Sequence, residues 1–363
     1  MAEMRAAVLR AVDEPLTIEH IEIDEPGPGE VLIATAAAGV CHSDYHFMNG
    51  QYSCPLPVVP GHESAGIIEA VGPDVDYVEP GDHVITCMSV ACGGCKFCAS
   101  DRPVLCERPN ASRPRAEAAR LRDSSGPLGQ LYDLGSYAEK MLVSDRAVVK
   151  IRDDMPLDRA ALIGCAVMTG YGAVVNTAKV PIGATTAVIG CGGVGLSAIL
   201  GAVAAGASSI IAIDVRDDKL AVAKSFGATH LVNATVDNPV TAVRDITGAG
   251  VDFSFEALGR RETSEQSFQM LDNGGCATII GMVPETQNIE VNAADLLMEK
   301  RLQGSNMGSN RFRIDMPDLV DRYLEGVLPL DDMISNRIGL DDINDGFADM
   351  LQGNVARSVI VFD

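Results

Sequence analysis

From Val180 to Ile213 the chain carries no charged residue. A run of that length and polarity is long enough to raise a membrane span. However, Gly183, Gly190, Gly192, Gly193, Gly195, Gly201 and Gly206 punctuate it and divide it into short pieces. The spacing predicts a strand at Thr186–Ile189, a glycine loop, a helix at Val194–Ala205 and a second strand at Ser209–Asp214. Glycine-rich turns between short apolar runs suit buried elements better than a membrane helix. Strands and helices that are apolar on every side need a sheet covered on both faces.

The alternation continues with a helix at Asp218–Phe226 and further segments at His230–Val232, Val243–Thr247, Phe253–Glu256 and Cys276–Ile280. Such a series predicts a doubly wound parallel sheet. The first 150 residues have a different texture. Val31–Thr35, Ile67–Val71 and His83–Thr86 are β-rich runs bounded by Pro26-Gly27-Pro28-Gly29, Val71-Gly72-Pro73 and Pro80-Gly81-Asp82. After Gly304 come helical stretches at Pro317–Gly326 and Ile343–Gln352, then a last strand at Arg357–Phe362. The expected fold is α/β, a mostly-β domain from 1–166 and 307–363 and a Rossmann domain from 167–306. Its length of 363 residues and 47% hydrophobic content fit two cores. Ser112–Gly129, with Arg113, Arg115, Arg120 and Arg122, reads as a solvated loop rather than a phosphate-binding arm.

Twenty-eight Lys and Arg stand against 50 Asp and Glu, a formal charge of −22. That charge disfavours nucleic acid and anionic membrane surfaces as partners. The acidic residues are interleaved with apolar runs, which argues against disorder. Met1–Glu14 shows no apolar core behind a basic start, so no secretory signal is read there. Ten cysteines in that setting point to a reducing, cytoplasmic compartment and to metal binding or catalysis rather than disulfides.

Three constellations carry chemistry. Cys92, Cys95, Cys98 and Cys106 lie within fifteen residues, close enough for four thiolates to converge on one tetrahedral ion. Zinc is favoured over an iron–sulfur cluster or two disulfides, since the spacing is not that of a ferredoxin. Four protein ligands leave no open position, so this site is structural. Gly190, Gly192, Gly193, Val194 and Gly195 follow an apolar strand and open an apolar helix, as a dinucleotide fingerprint requires. The helix N-terminus there supplies N–H groups to a pyrophosphate. Asp214, nineteen residues after Gly195, ends the next strand, where a carboxylate holds the ribose hydroxyls and repels a 2′-phosphate. The expected cofactor is therefore NAD rather than NADP, with Arg216 as a contrary sign. The third set is Cys41-His42-Ser43-Asp44-Tyr45-His46 and Gly61-His62-Glu63. Cys and His are ligands of catalytic zinc, which takes three protein ligands. Spacing leaves the third ligand open among Cys54, Cys87, Cys165, Cys191 and Cys276.

These motifs, together with Gly164-Cys165-Ala166 and Arg357 before the last strand, resemble the zinc-dependent medium-chain alcohol dehydrogenase family over essentially the whole chain. The resemblance implies a GroES-like catalytic domain, with a structural-zinc lobe near residues 90–110, beside the Rossmann domain. It implies catalytic zinc on Cys41, His62 and Cys165 and structural zinc on Cys92, Cys95, Cys98 and Cys106, two ions per chain. Asp44 would hold His62, as a ligating histidine requires, and Glu63 would lie beside the metal. Ser43 and His46 match the family's proton relay, which passes through the cofactor ribose. His42 and Arg357 match its cofactor-phosphate contacts, Asp214 and Lys219 its adenosine-ribose contacts, and Met88 a substrate-pocket position.

The implied reaction oxidises an alcohol, medium-sized or aromatic, to an aldehyde or ketone. Zinc acidifies the hydroxyl and nicotinamide takes the hydride. The family's glutathione-dependent formaldehyde branch is a neighbouring reading. That branch places an arginine soon after the last structural cysteine. Here Arg108 comes too early, Asn110 stands in its place, and Gln51–Pro60 lacks the branch's acidic residue. The stretch Ala111–Leu131 resembles the long insertion of dimeric members, which implies a homodimer. Rival readings are a zinc-free reductase on the same fold, which would lack Cys41, His62 and Cys165, and a zinc- and NAD-binding redox sensor without turnover.

Overall fold

The computed structural model describes residues 2–107 and 119–362. Arg108, Asn110, Arg113, Arg115 and the first part of the Ala111–Leu131 insertion, residues 111–118, lie outside that set. The chain forms two compact units, Met1–Cys165 with Arg311–Asp363, and Ala166–Asn310.

The first unit is built on two sheets. One runs, in order, Ala2–Val8, Thr17–Ile23, Leu121–Asp123, Gly126–Gln130 and Val58–Val59. The other runs Val148–Lys150, His83–Thr86, Ser64–Val71, Glu30–Gly39, Ser358–Val361 and Asn336–Ile338, with Lys140–Ser144 also on Glu30–Gly39. The strand Glu30–Gly39 is apolar at nearly every position because it is buried on both faces. Successive side chains alternate across a strand. Accordingly Val31 and Ile33 enter one core with Ile68, Val84 and Val148, and Leu32 enters another with Ile21, Leu121 and Leu128. The chain's last strand, Ser358–Val361, pairs antiparallel with Glu30–Gly39 and brings Arg357 to its inner end.

The expected solvated loop is corrected here. Arg120 is 9% exposed and pairs with buried Glu30 at 2.8 Å, and Arg122 pairs with Asp24. Two strands, Leu121–Asp123 and Gly126–Gln130, form a hairpin around Ser124 and Ser125. The helix expected from Pro317 begins earlier, at Phe312, and ends at Leu324. Asp315 caps the start by accepting from the Arg311 N–H, and the proline lies inside the helix.

The second unit is a six-stranded parallel sheet in the order His230–Asn233, Ser209–Asp214, Thr185–Ile189, Val251–Glu256, Leu271–Ile279 and Arg301–Gly304. Counted along the chain this is 3-2-1-4-5-6, the dinucleotide-binding arrangement. The helix Gly193–Ala204 is buried over most of its length, which accounts for the charge-free run. One helix among the described residues, Leu157–Ala178, is long and apolar enough to cross a membrane, and most of it is buried within the protein. It contains two π-turns, Ile163–Val167 and Ala173–Ala178.

Candidate functional site

Three elements of the first unit converge on one cluster. Cys41 ends the strand region after Gly39 and caps the short helix His42–Met48. His62 precedes the strand Ser64–Val71. Cys165 sits at the centre of the π-turn Ile163–Val167. Their Sγ, ring-nitrogen and Sγ atoms all lie within 4.8 Å of one another, and all three residues are buried. His62 Nε2 is 3.2 Å from Cys165 Sγ. A π-turn carries one residue more than an α-turn, and such turns are frequent at functional sites.

The surroundings fix these ligands. His62 Nδ1 is 3.1 Å from Asp44 Oδ1, which also accepts the Gly61 N–H at 2.9 Å. Asp44 Oδ2 accepts the Tyr137 hydroxyl at 2.8 Å, and that hydroxyl lies 3.4 Å from the Cys41 N–H. Thus one buried carboxylate and one buried phenol tie two of the three ligands together. Burial lowers the His62 pKa, but Asp44 and Cys41 outweigh it and the net shift is upward. Within the two-sulfur pair the Cys41 thiol is pushed well below its usual range, first by hydrogen bonding with Cys165 and then by the charges of Arg357 and His62, against burial.

Arg357 is 5% exposed. Its Nη2 lies 3.4 Å from Glu63 Oε2 and 3.8 Å from Cys41 Sγ, and its Nη1 donates to the Val40 carbonyl. The guanidinium therefore balances charge beside the sulfur–nitrogen cluster. Glu63 is buried on the same side. His42 is exposed, Ser43 half-exposed, and His46 stands one turn along the same helix, its ring 6.4 Å from that of His42. Burial lowers the pKa of His46. Met88 is half-buried and packs on the core that holds Val84 and Val90.

Tyr132 had no sequence signal. Its ring stands edge-on to His62 at 5.3 Å and to Phe47 at 5.5 Å. The backbone there is left-handed, φ 55°, as it is at Asp133. Two successive non-glycine residues in that region are a local strain that tends to mark functional sites.

The second cluster is Cys92, Cys95, Cys98 and Cys106, again with all four sulfurs within 4.8 Å. Backbone N–H groups of Cys98 and Glu107 bring the Cys95 thiol down to about 6, and the Gly94 N–H lowers Cys92. Four convergent sulfurs with amide donors suit a tetrahedral thiolate-bound ion and leave no coordination position for a reactant.

In the second unit, Gly190 has φ +93° and Gly192 caps the helix Gly193–Ala204, which includes Val194. A Cβ on Gly195 would collide with the Gly190 carbonyl oxygen. Asp214 is 8% exposed, and its carboxylate accepts N–H groups from Cys191 (2.8 Å), Val215 (2.8 Å) and Arg216 (3.1 Å). The carboxylate is thereby held at the end of its strand before any ligand arrives. Arg216 is drawn to Asp218, with Nη2 at 2.7 Å from Oδ2. Lys219 lies half-buried in the helix Asp217–Ser225.

An alcohol dehydrogenase GroES-like domain model matches residues 27–153, and a zinc-binding dehydrogenase model matches 193–325. An alcohol dehydrogenase zinc-binding domain protein from Burkholderia ambifaria is 34% identical with a TM-score of 0.95, over 100% of this chain and 99% of that one. Benzyl alcohol dehydrogenase from Acinetobacter calcoaceticus is 32% identical with a TM-score of 0.93, over 100% of both chains. A zinc-binding dehydrogenase from Sinorhizobium meliloti bound to NADP is 26% identical with a TM-score of 0.84, over 100% of both.

Proposed function

This chain belongs to the zinc-dependent medium-chain alcohol dehydrogenase family, and we propose that it oxidises a medium-sized or aromatic alcohol to an aldehyde or ketone with NAD. The observation that carries the reading is the buried Cys41–His62–Cys165 set. It offers two sulfurs and one nitrogen, the donor chemistry of a catalytic zinc that leaves one position to water or substrate. Cys41, His62 and Cys165 would hold a zinc that would supply Lewis-acid chemistry to the alcohol, and a bound nicotinamide would supply the hydride acceptor.

The chain's own residues do the rest. Asp44 fixes the ring of His62 and raises its basicity as a ligand. Arg357 and Glu63 set the charge around Cys41. Ser43 and His46 lie three residues apart on one helix face. Burial lowers the His46 pKa and so favours the neutral ring, the form that can accept a proton passed outward from Ser43. Tyr132, against His62 and Phe47, supplies an aromatic wall that favours an aromatic alcohol, in keeping with the benzyl alcohol dehydrogenase likeness. Asp214, with Arg216 turned to Asp218, favours NAD over NADP. We further propose a second, structural zinc on the four-cysteine cluster, a homodimer and a cytoplasmic setting.

Two measurements test the reading. Elemental analysis of protein purified without chelator should find two zinc ions per chain. A panel of primary, secondary and aromatic alcohols with NAD should give NADH absorbance, highest for an aromatic or medium-sized member. Metal without any alcohol-dependent NADH would favour a redox sensor instead.

A further inference from the structure

Glu256 is a buried acid that the proposed reaction does not use. It ends the strand Val251–Glu256 and is fully buried. Its Oε1 accepts the N–H of Leu258 (2.9 Å), the N–H of Gly259 (2.9 Å) and the Thr263 hydroxyl (2.7 Å), and Oε2 accepts Gly259 again at 3.1 Å. Burial raises the Glu256 pKa, and the Thr263 hydroxyl and the Gly259 and Leu258 N–H groups work against that, since N–H donors favour the carboxylate form. Among the described residues no cationic side chain pairs with it. A buried charge without a counter-ion is costly, and such a charge is weakly screened.

The topology says what lies above it. Strand order reverses between Thr185–Ile189 and Val251–Glu256, and dinucleotides bind outside the carboxyl ends at that reversal. Asp214 places the adenosine half on the Ser209–Asp214 side of the glycine loop. The pyrophosphate sits at the loop, so the other half of the cofactor extends over the ends of Val251–Glu256 and Leu271–Ile279. Gly281 follows the latter strand and is half-exposed. A Cβ there would collide with the Gly259 backbone nitrogen at 2.0 Å and stand 2.7 Å from Glu256 Oε2, so the backbone of Gly259 and Gly281 packs against the carboxylate on that side.

The nicotinamide ring is cationic when oxidised and neutral when reduced. We propose that Glu256 is a built-in counter-charge for the oxidised ring, biasing the bound cofactor toward NAD⁺ relative to NADH. This rests on the nicotinamide reading above. A mere loop anchor would affect both forms alike, whereas a counter-charge acts on their ratio.

The test is equilibrium binding to the zinc-loaded protein, NADH by fluorescence titration and NAD⁺ by competition, with ADP-ribose as a ring-free control. Glu256→Gln should raise the ratio Kd(NAD⁺)/Kd(NADH) about fivefold or more. Glu256→Asp, which keeps the charge, should hold the ratio within about twofold even if all three ligands bind more weakly. Thr263→Lys, which sets a cation beside the carboxylate, should move the ratio as Glu256→Gln does, and it serves if the latter does not fold. A ratio unchanged in Glu256→Gln or Thr263→Lys, with NADH, NAD⁺ and ADP-ribose affected in parallel, overturns the counter-charge. Wild-type protein that binds neither nicotinamide form overturns the cofactor reading itself.

Discussion

Tyr137→Phe removes a single oxygen from the support beneath the metal ligands. The ring and its volume stay, so its packing against Phe347 in the core is kept. What goes is the 2.8 Å bond to Asp44 Oδ2, the 3.2 Å contact with the Gly39 carbonyl and the oxygen facing the Cys41 N–H at 3.4 Å. A hydrogen bond to a buried charged acceptor is worth roughly 1.5–3 kcal/mol, because the abandoned carboxylate oxygen finds no water. Asp44 Oδ1 retains Gly61 and His62, so we take about 2 kcal/mol, or about thirtyfold in an equilibrium constant.

In the zinc-loaded protein that loss should appear as a catalytic-site metal affinity weaker by about 10- to 100-fold in chelator competition. In the metal-free protein it should lower Tm by about 4–8 °C for a unit of this size. The cobalt-substituted protein should show shifted ligand-field bands, since the His62 and Cys41 positions both relax. Combined with Asp44→Ala, the loss should be less than additive, because both changes remove the same bond. Metal affinity within a factor of about two of wild type, with an unmoved cobalt spectrum, would refute the idea that Tyr137 acts through Asp44.

Cys165→Ala should cost one zinc per chain by elemental analysis and all alcohol-dependent NADH formation, with circular dichroism unchanged; surviving turnover would mean that another residue completes the set. Gly195→Ala should weaken NADH binding more than about tenfold by titration, because its Cβ meets the Gly190 carbonyl. Asp214→Gly should raise kcat/KM for NADP relative to NAD, and an unmoved ratio would show that the ribose is read elsewhere. Asp158 is partly buried, and although burial raises its pKa, Arg159 and Arg337 outweigh that and lower it. Its contribution is present above the unfolded carboxylate pKa of about 4 and is lost as pH falls through the lower folded value. Asp158→Asn should thus destabilise by about 1–2 kcal/mol at pH 7 in urea unfolding, with the gap closing below about pH 4.

Legibility from sequence followed the length scale of each interaction. The parallel sheet was visible because its glycine loop and apolar strands are local patterns. The GroES-like and Rossmann assignments hold on the observed sheets and the matched family models. The four-cysteine cluster was visible for the same reason, its members lying within fifteen residues. Cys165, more than a hundred residues from His62, was supplied by resemblance and not by spacing; the structure places its sulfur with the other two. Tyr137, Tyr132 and Glu256 were missed. Each gains its role from contacts across folded distance, and a tyrosine ninety-three residues from Asp44 has no pattern that announces it. The start of the Phe312–Leu324 helix failed for a different reason. Proline is a frequent first-turn residue, and the side chain that caps the true start, Asp315, lies inside the helix rather than before it.

The turn Ile163–Val167 holds one residue more than a regular helix would. Deleting a single codon within it would restore α-helical winding and rotate position 165 by about 100° about the axis, away from His62. A metal-dependent ancestor could in this way lose its third ligand through one in-frame event, with the strands that flank Cys41 and His62 unchanged and only the buried turn repacked. The reverse insertion would recruit a sulfur just as abruptly, so gain and loss of the ion are a single mutational step apart on this scaffold.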